Sequence, residues 1–196
     1  MTAEMFPLNV VGSELLMYGM IHKAARQFVI EDRGQATWTA IVEQCDLNDE
    51  HFISGQHYSD EVTVSLLGQI SESLNRPLQD LLFDFGKYWV KFTAKSSYAN
   101  VLEMAGDDLV TFLDNLDTMH RSIKATMPEA VMPTFAVTRH DGPNIELLYR
   151  SEREGLEDFV RGLLYGLLDR FSEHGEIAVG HRDGDIFFSI SRRQAA

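Results

Sequence analysis

The chain has one cysteine, Cys45, in 196 residues. A lone thiol forms no internal disulfide and builds no multi-cysteine metal site, which excludes a disulfide-stapled extracellular scaffold and a cysteine-held zinc cluster and fits a reducing cytoplasm. Cys45 is expected to pack on a helix. No apolar run approaches the ~18 residues of a membrane span, so a soluble chain with no membrane partner is expected. Nor is there a lysine- or arginine-rich stripe: 30 acidic against 17 basic side chains give a formal charge of −13. Such a surface repels phosphate backbones, so nucleic acid is not an expected partner. Internal repeats and low-complexity tracts are also absent. Residues 1–16 lack the basic start and the cleavage pattern of a secretory signal.

With 44% hydrophobic residues, 196 residues suffice for one domain with a full core. Met17, Met20, Ile21, Ala24 and Phe28 form a helical apolar face that stops at Arg33-Gly34. His22 and Arg26 fall on the other side of that helix and are expected to be exposed, which discounts a peroxidase built on a distal histidine and arginine. Trp38, Ile41, Val42 and Cys45 mark a second helix, and a polar loop through Asn48 and Gly55 follows. Ser59-Asp60-Glu61 is expected to cap a helix from Val62 to Leu74. Pro77 suits the first turn of the next helix, which runs through Trp89 and Phe92 with Gly86 as a weak point. A short helix over 97–104 ends at Gly106. Asp107 or Asp108 then caps another.

Beyond Pro128 and Pro133 the apolar period changes from helical to alternating. Residues 134–139 and 145–150 are expected to pair across Asp141-Gly142-Pro143, and a strongly apolar helix spans Leu156 to Phe171. Residues 176–182 and 185–191 flank Asp183-Gly184, a strong hairpin signal. The expected fold class is α+β, with a helical part over 17–105 and a part over 106–191 that combines helices with an antiparallel sheet.

Two features carry chemistry. Leu109, Leu113, Leu116, His120, Ile123 and Met127 alternate in steps of four and three, one stripe of a helix with His120 inside it. Such a histidine is either a hydrogen-bonded core residue or a metal ligand. Tyr149, Ser151 and Arg153 alternate on one face if their strand persists. They make either a solvated edge-strand face or a phenol, a hydroxyl and a guanidinium suited to carboxylates. A ligand histidine and a carboxylate clamp on one chain suggest haem with its two propionates.

The run Asn115-Leu116-Asp117-Thr118-Met119-His120, the proline at 133 and Tyr149-Arg150-Ser151-Glu152-Arg153-Glu154-Gly155-Leu156 resemble the haem-binding signature of the H-NOX (haem nitric oxide/oxygen binding) family. Met17-Tyr18-Gly19 is similar to the family's usual beginning, and Phe85-Gly86-Lys87-Tyr88-Trp89 to its pocket-lining helix. The resemblance covers 17–191, with haem lying between the two parts. Residues 1–16 then form an N-terminal extension: either translation starts at Met17, or the segment packs Phe6, Leu8, Val10 and Val11 on the surface.

The resemblance implies haem b as cofactor and a gas sensor, not an enzyme. It implies His120 as proximal iron ligand, its second ring nitrogen held by a polar neighbour, and Tyr149, Ser151 and Arg153 on the propionates. Pro133, otherwise an ordinary rigid turn with no chemistry of its own, would press on the porphyrin. Trp89, Met20, Ile21, Phe159 and Leu163 would line the pocket. Oxygen-binding members carry a tyrosine where Phe159 stands, and neither Asp158 nor Val160 supplies one, so nitric oxide, with carbon monoxide, is the expected ligand. Tyr18, Tyr88 and Tyr165 are the tyrosines that could still reach inward. Release of His120 and a shift of its helix would signal to a separate protein such as a histidine kinase or a cyclic-di-GMP enzyme. Val131 stands where members often have an arginine, which puts one coupling ion pair in doubt. The alternative is a haem carrier, or a ligand-binding or dimerisation module of the same fold without haem.

Overall fold

A computed structural model describes residues 16–47, 52–96 and 98–193. The expected surface packing of Phe6, Leu8, Val10 and Val11 and the loop position Asn48 lie outside these residues. Among the described residues the elements run β1 (Leu16–Tyr18), α1 (Gly19–Arg33), α2 (Gln35–Gln44), β2 (His57–Ser59), α3 (Asp60–Ser73), α4 (Leu78–Thr93), α5 (Ala99–Ala105) and α6 (Leu109–Thr126). They continue with β3 (Thr134–Asp141), β4 (Asn144–Arg150), α7 (Glu157–Arg170), β5 (His174–Arg182) and β6 (Asp185–Arg193). The fold is α+β, and none of the described helices is long and apolar enough to cross a membrane.

Two compact units divide the chain. The first holds the described part of Met1–Leu78 together with Glu152–Glu157, and the second holds Gln79–Ser151 and the described part of Asp158–Ala196. In the first, α1 to α3 bury Ala25, Val29, Trp38, Ile41, Leu66 and Ile70. Gly34 ends α1 with φ +85°, a conformation open to glycine. Neither two-stranded ladder partner was expected from sequence: β1 and β2 pair antiparallel over three residues each, too short for an alternation to register. The buried face of α1 differs from the expected one. Met20, Ile21 and Phe28 are half-buried, while His22, Ala24, Ala25 and Val29 face inward. His22 is fully buried, so the expected exposed His22 and Arg26 pair does not form; Arg26 donates to Gln35 Oε1 at 3.0 Å. Ser59 precedes α3 but makes no side-chain cap. Cys45 is half-buried at the end of α2, its thiol toward the Ser65 carbonyl at 4.0 Å, and burial pushes its pKa up.

In the second unit, four strands pair antiparallel in the order β3-β4-β6-β5. Asp183 and Gly184 both have positive φ, as a tight two-residue hairpin requires, and they join β5 to β6 at the expected place. The inner sheet face contributes Phe135, Ile145, Leu147, Phe188 and Ile190 to a core shared with Leu109, Phe112, Leu113 and Leu116 of α6 and Val160, Leu164 and Leu167 of α7. Asp108 starts α6 by accepting from Thr111 N at 3.0 Å. Gly86, expected as a weak point, instead permits a close helix crossing. A Cβ there would fall on the Phe159 carbonyl of α7, and one at Gly162 on the Phe83 carbonyl of α4.

Candidate functional site

His120 lies in the fourth turn of α6, beyond Leu113 and Leu116, where the helix face passes from buried to half-buried. Its Nδ1 is 3.2 Å from the carbonyl oxygen of Pro133. A carbonyl can only accept, so Nδ1 carries the proton and Nε2 keeps its lone pair. Among the described residues no hydrogen bond is made to Nε2. Burial lowers the pKa of the ring, against weaker raising effects of the Pro133 carbonyl and Asp117, so the imidazole is held neutral. A neutral ring, oriented through one nitrogen and bearing a lone pair on the other, is the form that ligates a metal. Pro133, which from sequence had no chemistry of its own, supplies the atom that sets the tautomer. Backbone acceptors of this kind leave no mark in a residue pattern.

An aromatic chain continues from the histidine. The His120 and Phe135 rings lie 5.6 Å apart between centroids, and Phe135 and Tyr149 5.2 Å apart. Tyr149 is buried on β4, an interior strand of the sheet, so the edge-strand description fails. β4 also stops at Arg150, and strand alternation therefore does not place Ser151 and Arg153. Ser151 is half-buried, and Arg153 follows in a series of bends.

Arg153 belongs to the first unit, together with Met20 and Ile21. Its Nε donates to Asp60 Oδ2 at 2.7 Å and its Nη2 to Asp60 Oδ1 at 3.2 Å, with side-chain exposures of 12% and 6% for the two residues. Asp60 was expected only as part of a cap. Its partner lies 93 positions away, beyond the reach of local pattern.

The remaining apolar candidates sit on α4 and α7 in the second unit. Phe159 is half-buried with its ring 5.6 Å from that of Phe85, and the Gly86 and Gly162 crossing fixes this part of α7 against α4. Leu163 packs against the core, and Trp89 stacks on Phe92 at 6.1 Å. Of the tyrosines, Tyr165 is turned away: its hydroxyl accepts from Ile177 N of β5 at 3.3 Å and its ring meets Phe83 edge-on. His22, which is fully buried, has Nε2 2.9 Å from Thr63 Oγ1 and its ring against those of Phe52 and Tyr58.

A family model described as Haem-NO-binding matches residues 18–179. The chain belongs to the H-NOX family. Its members are haem-binding sensor domains and not catalytic ones. Soluble guanylate cyclase 89Db of Drosophila melanogaster is 24% identical over 155 residues, covering 79% of this chain and 23% of that protein. Soluble guanylate cyclase gcy-35 of Caenorhabditis elegans is 28% identical over 152 residues, covering 76% and 22%. The chain thus spans about a quarter or less of the length of these curated relatives. An H-NOX protein of S. oneidensis in the Fe(II)NO state superposes with a TM-score of 0.81 at 21% identity, covering 91% of this chain and all of that one. The unliganded Fe(II) H-NOX protein of K. algicida gives 0.78 at 22% identity over 91% and 98%. At these identities the superpositions establish the fold.

The donor set fits haem. His120 presents a neutral nitrogen for iron, and Tyr149, Ser151 and Arg153 offer the donor chemistry that carboxylates need.

Proposed function

We propose that this H-NOX chain, over residues 17–191, is a haem b sensor of nitric oxide in which His120 is the proximal iron ligand. The observation that carries this is the His120 Nδ1 bond to the Pro133 carbonyl, which leaves Nε2 as the ligating atom. Haem, when bound, supplies the ferrous iron that takes a diatomic gas. Tyr149, Ser151 and Arg153 hold its propionates, and Pro133 sets both the chain path and the tautomer of His120.

Selectivity comes from what the pocket side chains lack. Dioxygen on ferrous iron carries partial negative charge and gains from a hydrogen-bond donor, whereas nitric oxide and carbon monoxide bind without one. Phe159 and Leu163 carry no hydrogen-bond donor, and Met20 and Ile21 carry none either. The hydroxyl of Tyr165, a candidate donor, is placed at β5, where it accepts from Ile177 N. The absence of a positioned donor can cost a large factor against a ligand that needs one.

With haem bound, His120 would be the tie between the iron and α6, and its release on nitric oxide binding would free α6 to shift against β3, a two-state element that ligand binding biases. The output passes to a separate cytoplasmic protein, a histidine kinase or a cyclic-di-GMP enzyme.

The experiment is the absorption spectrum of the reduced protein under argon, in air and with nitric oxide. A five-coordinate ferrous haem that is unchanged by air and binds nitric oxide is expected. A stable complex with dioxygen would overturn the selectivity, and the absence of a Soret band after haem supplementation would replace the sensor with a binding module of the same fold.

A further inference from the structure

β5 is an outer strand of the four-stranded sheet, and His174–Arg182 include neither proline nor lysine, the residues that commonly blunt an open edge. Arg182 and Asp185 face each other across the two-residue Asp183-Gly184 turn and so exchange both backbone bonds. Alternation from that pair turns the backbone groups of Gly180, Ala178 and Glu176 toward β6, and those of His181, Val179 and Ile177 off the sheet. One outward group is answered within the chain: Ile177 N donates to the Tyr165 hydroxyl of α7 at 3.3 Å. Among the described residues no side chain or loop accepts from Val179 N or His181 N.

The strand is complementary to a second copy of itself. Laid antiparallel about a two-fold axis at Val179, the two Val179 residues exchange bonds and His181 N–H meets the second copy's Ile177 carbonyl. On the outer face Glu176 then stands opposite the second copy's Arg182, Ala178 stands opposite Gly180, and no like charges are opposed. Glu176 and Arg182 are held within the chain only by ion pairs with Arg193 and Glu146, through guanidinium groups of side chains that are 71% and 59% exposed, and such pairs are weak. In the same register the second copy's His181 carbonyl needs the Ile177 N–H. The Tyr165 hydroxyl already holds it.

We propose that Tyr165 is a latch on a self-pairing edge: with its hydroxyl on the Ile177 N–H the chain stays single, and when that hydroxyl is withdrawn two copies join β5 to β5 about Val179. The occupant is a second copy because the spacing of Glu176 and Arg182 matches itself when reversed.

The test is sedimentation velocity of the full chain for wild type, Tyr165→Phe and Tyr165→Ala, with amide hydrogen exchange along β5 read by NMR. Wild type is expected to sediment as single chains, with Ile177 N–H exchanging more slowly than those of Val179 and His181. Both variants should self-associate roughly tenfold or more tightly than wild type, the scale of one freed hydrogen bond in each copy, and pairing should protect Val179 and His181 from exchange. In the Tyr165→Phe background, Glu176→Arg and Arg182→Glu each oppose like charges and should abolish pairing, whereas their one-to-one mixture should restore it. Folded Tyr165 variants that stay single overturn the proposal, as does a wild type that pairs as tightly as Tyr165→Phe. Association that survives either charge variant alone, or a mixture that stays single, overturns the register and with it the choice of occupant. The exchange comparison needs only wild type, so Ile177 exchanging as fast as Val179 removes the latch whether or not a variant folds.

Discussion

At the scale of single residues, two histidines show what burial does to one side chain. His120 is neutral with one nitrogen committed, and His120→Gly is expected to lose the protein-to-iron bond and regain a five-coordinate spectrum when imidazole is added. Unchanged iron coordination in the variant would remove His120 from its role. His22 has no exposed surface, and burial holds its pKa down to about 4 from 6.5. The fold favours the neutral ring, so the contribution is complete above pH 6.5 and is lost as the pH falls toward 4. A shift of that size corresponds to stability on the order of 3 kcal/mol across the window. Chemical denaturation of wild type and His22→Phe at pH 7 and pH 4.5 should show the wild type losing more stability on acidification. Equal losses would mean that His22 is protonated in the fold. The helical stripe read from Met17, Met20, Ile21, Ala24 and Phe28 misplaced this residue because alanines on α1 weaken the contrast between faces. The buried set His22, Ala25 and Val29 contains only one large hydrophobic side chain.

At the scale of elements, glycines in helices have opposite consequences depending on what faces them. Gly68 in α3 has nothing within 4 Å of the point where a Cβ would stand, so Gly68→Ala is expected to stabilise by up to ~1 kcal/mol through helix propensity. Gly86 in α4 faces the Phe159 carbonyl, and Gly86→Ala is expected to destabilise by about 1–3 kcal/mol as the two helices are forced apart. Because the crossing holds the Phe159 segment, the same variant should also alter the nitric oxide association rate. Thermal melts of both variants check the signs, and a stabilised Gly86→Ala would contradict the crossing. Propensity alone assigns both glycines the same penalty. Spacing made α6 and the Asp183-Gly184 hairpin legible, since an apolar helical stripe or a turn pair is a local signal. The β1 and β2 ladder and the crossing at Gly86 and Gly162 depend on partners far along the chain. Asp108→Ala, which removes the Thr111 cap of α6, is expected to cost ~1 kcal/mol by the same thermal measurement.

At the scale of the whole molecule, the family was legible because His120, Pro133, Tyr149, Ser151 and Arg153 are ordered in a way that unrelated helices and strands do not reproduce. The atoms that organise them were not. The Pro133 carbonyl is backbone, and Asp60 lies 93 positions from its arginine. The Pro133 carbonyl restricts His120 to one tautomer, and Asp60 ion-pairs with Arg153. The most direct measurement is resonance Raman spectroscopy of the full ferrous protein, first under argon and then with nitric oxide. An iron–imidazole stretch under argon that vanishes when nitric oxide is added is the expected result. A stretch that persists under nitric oxide, or one never present in a haem-loaded protein, would contradict the assignment of His120 as the ligand whose release signals.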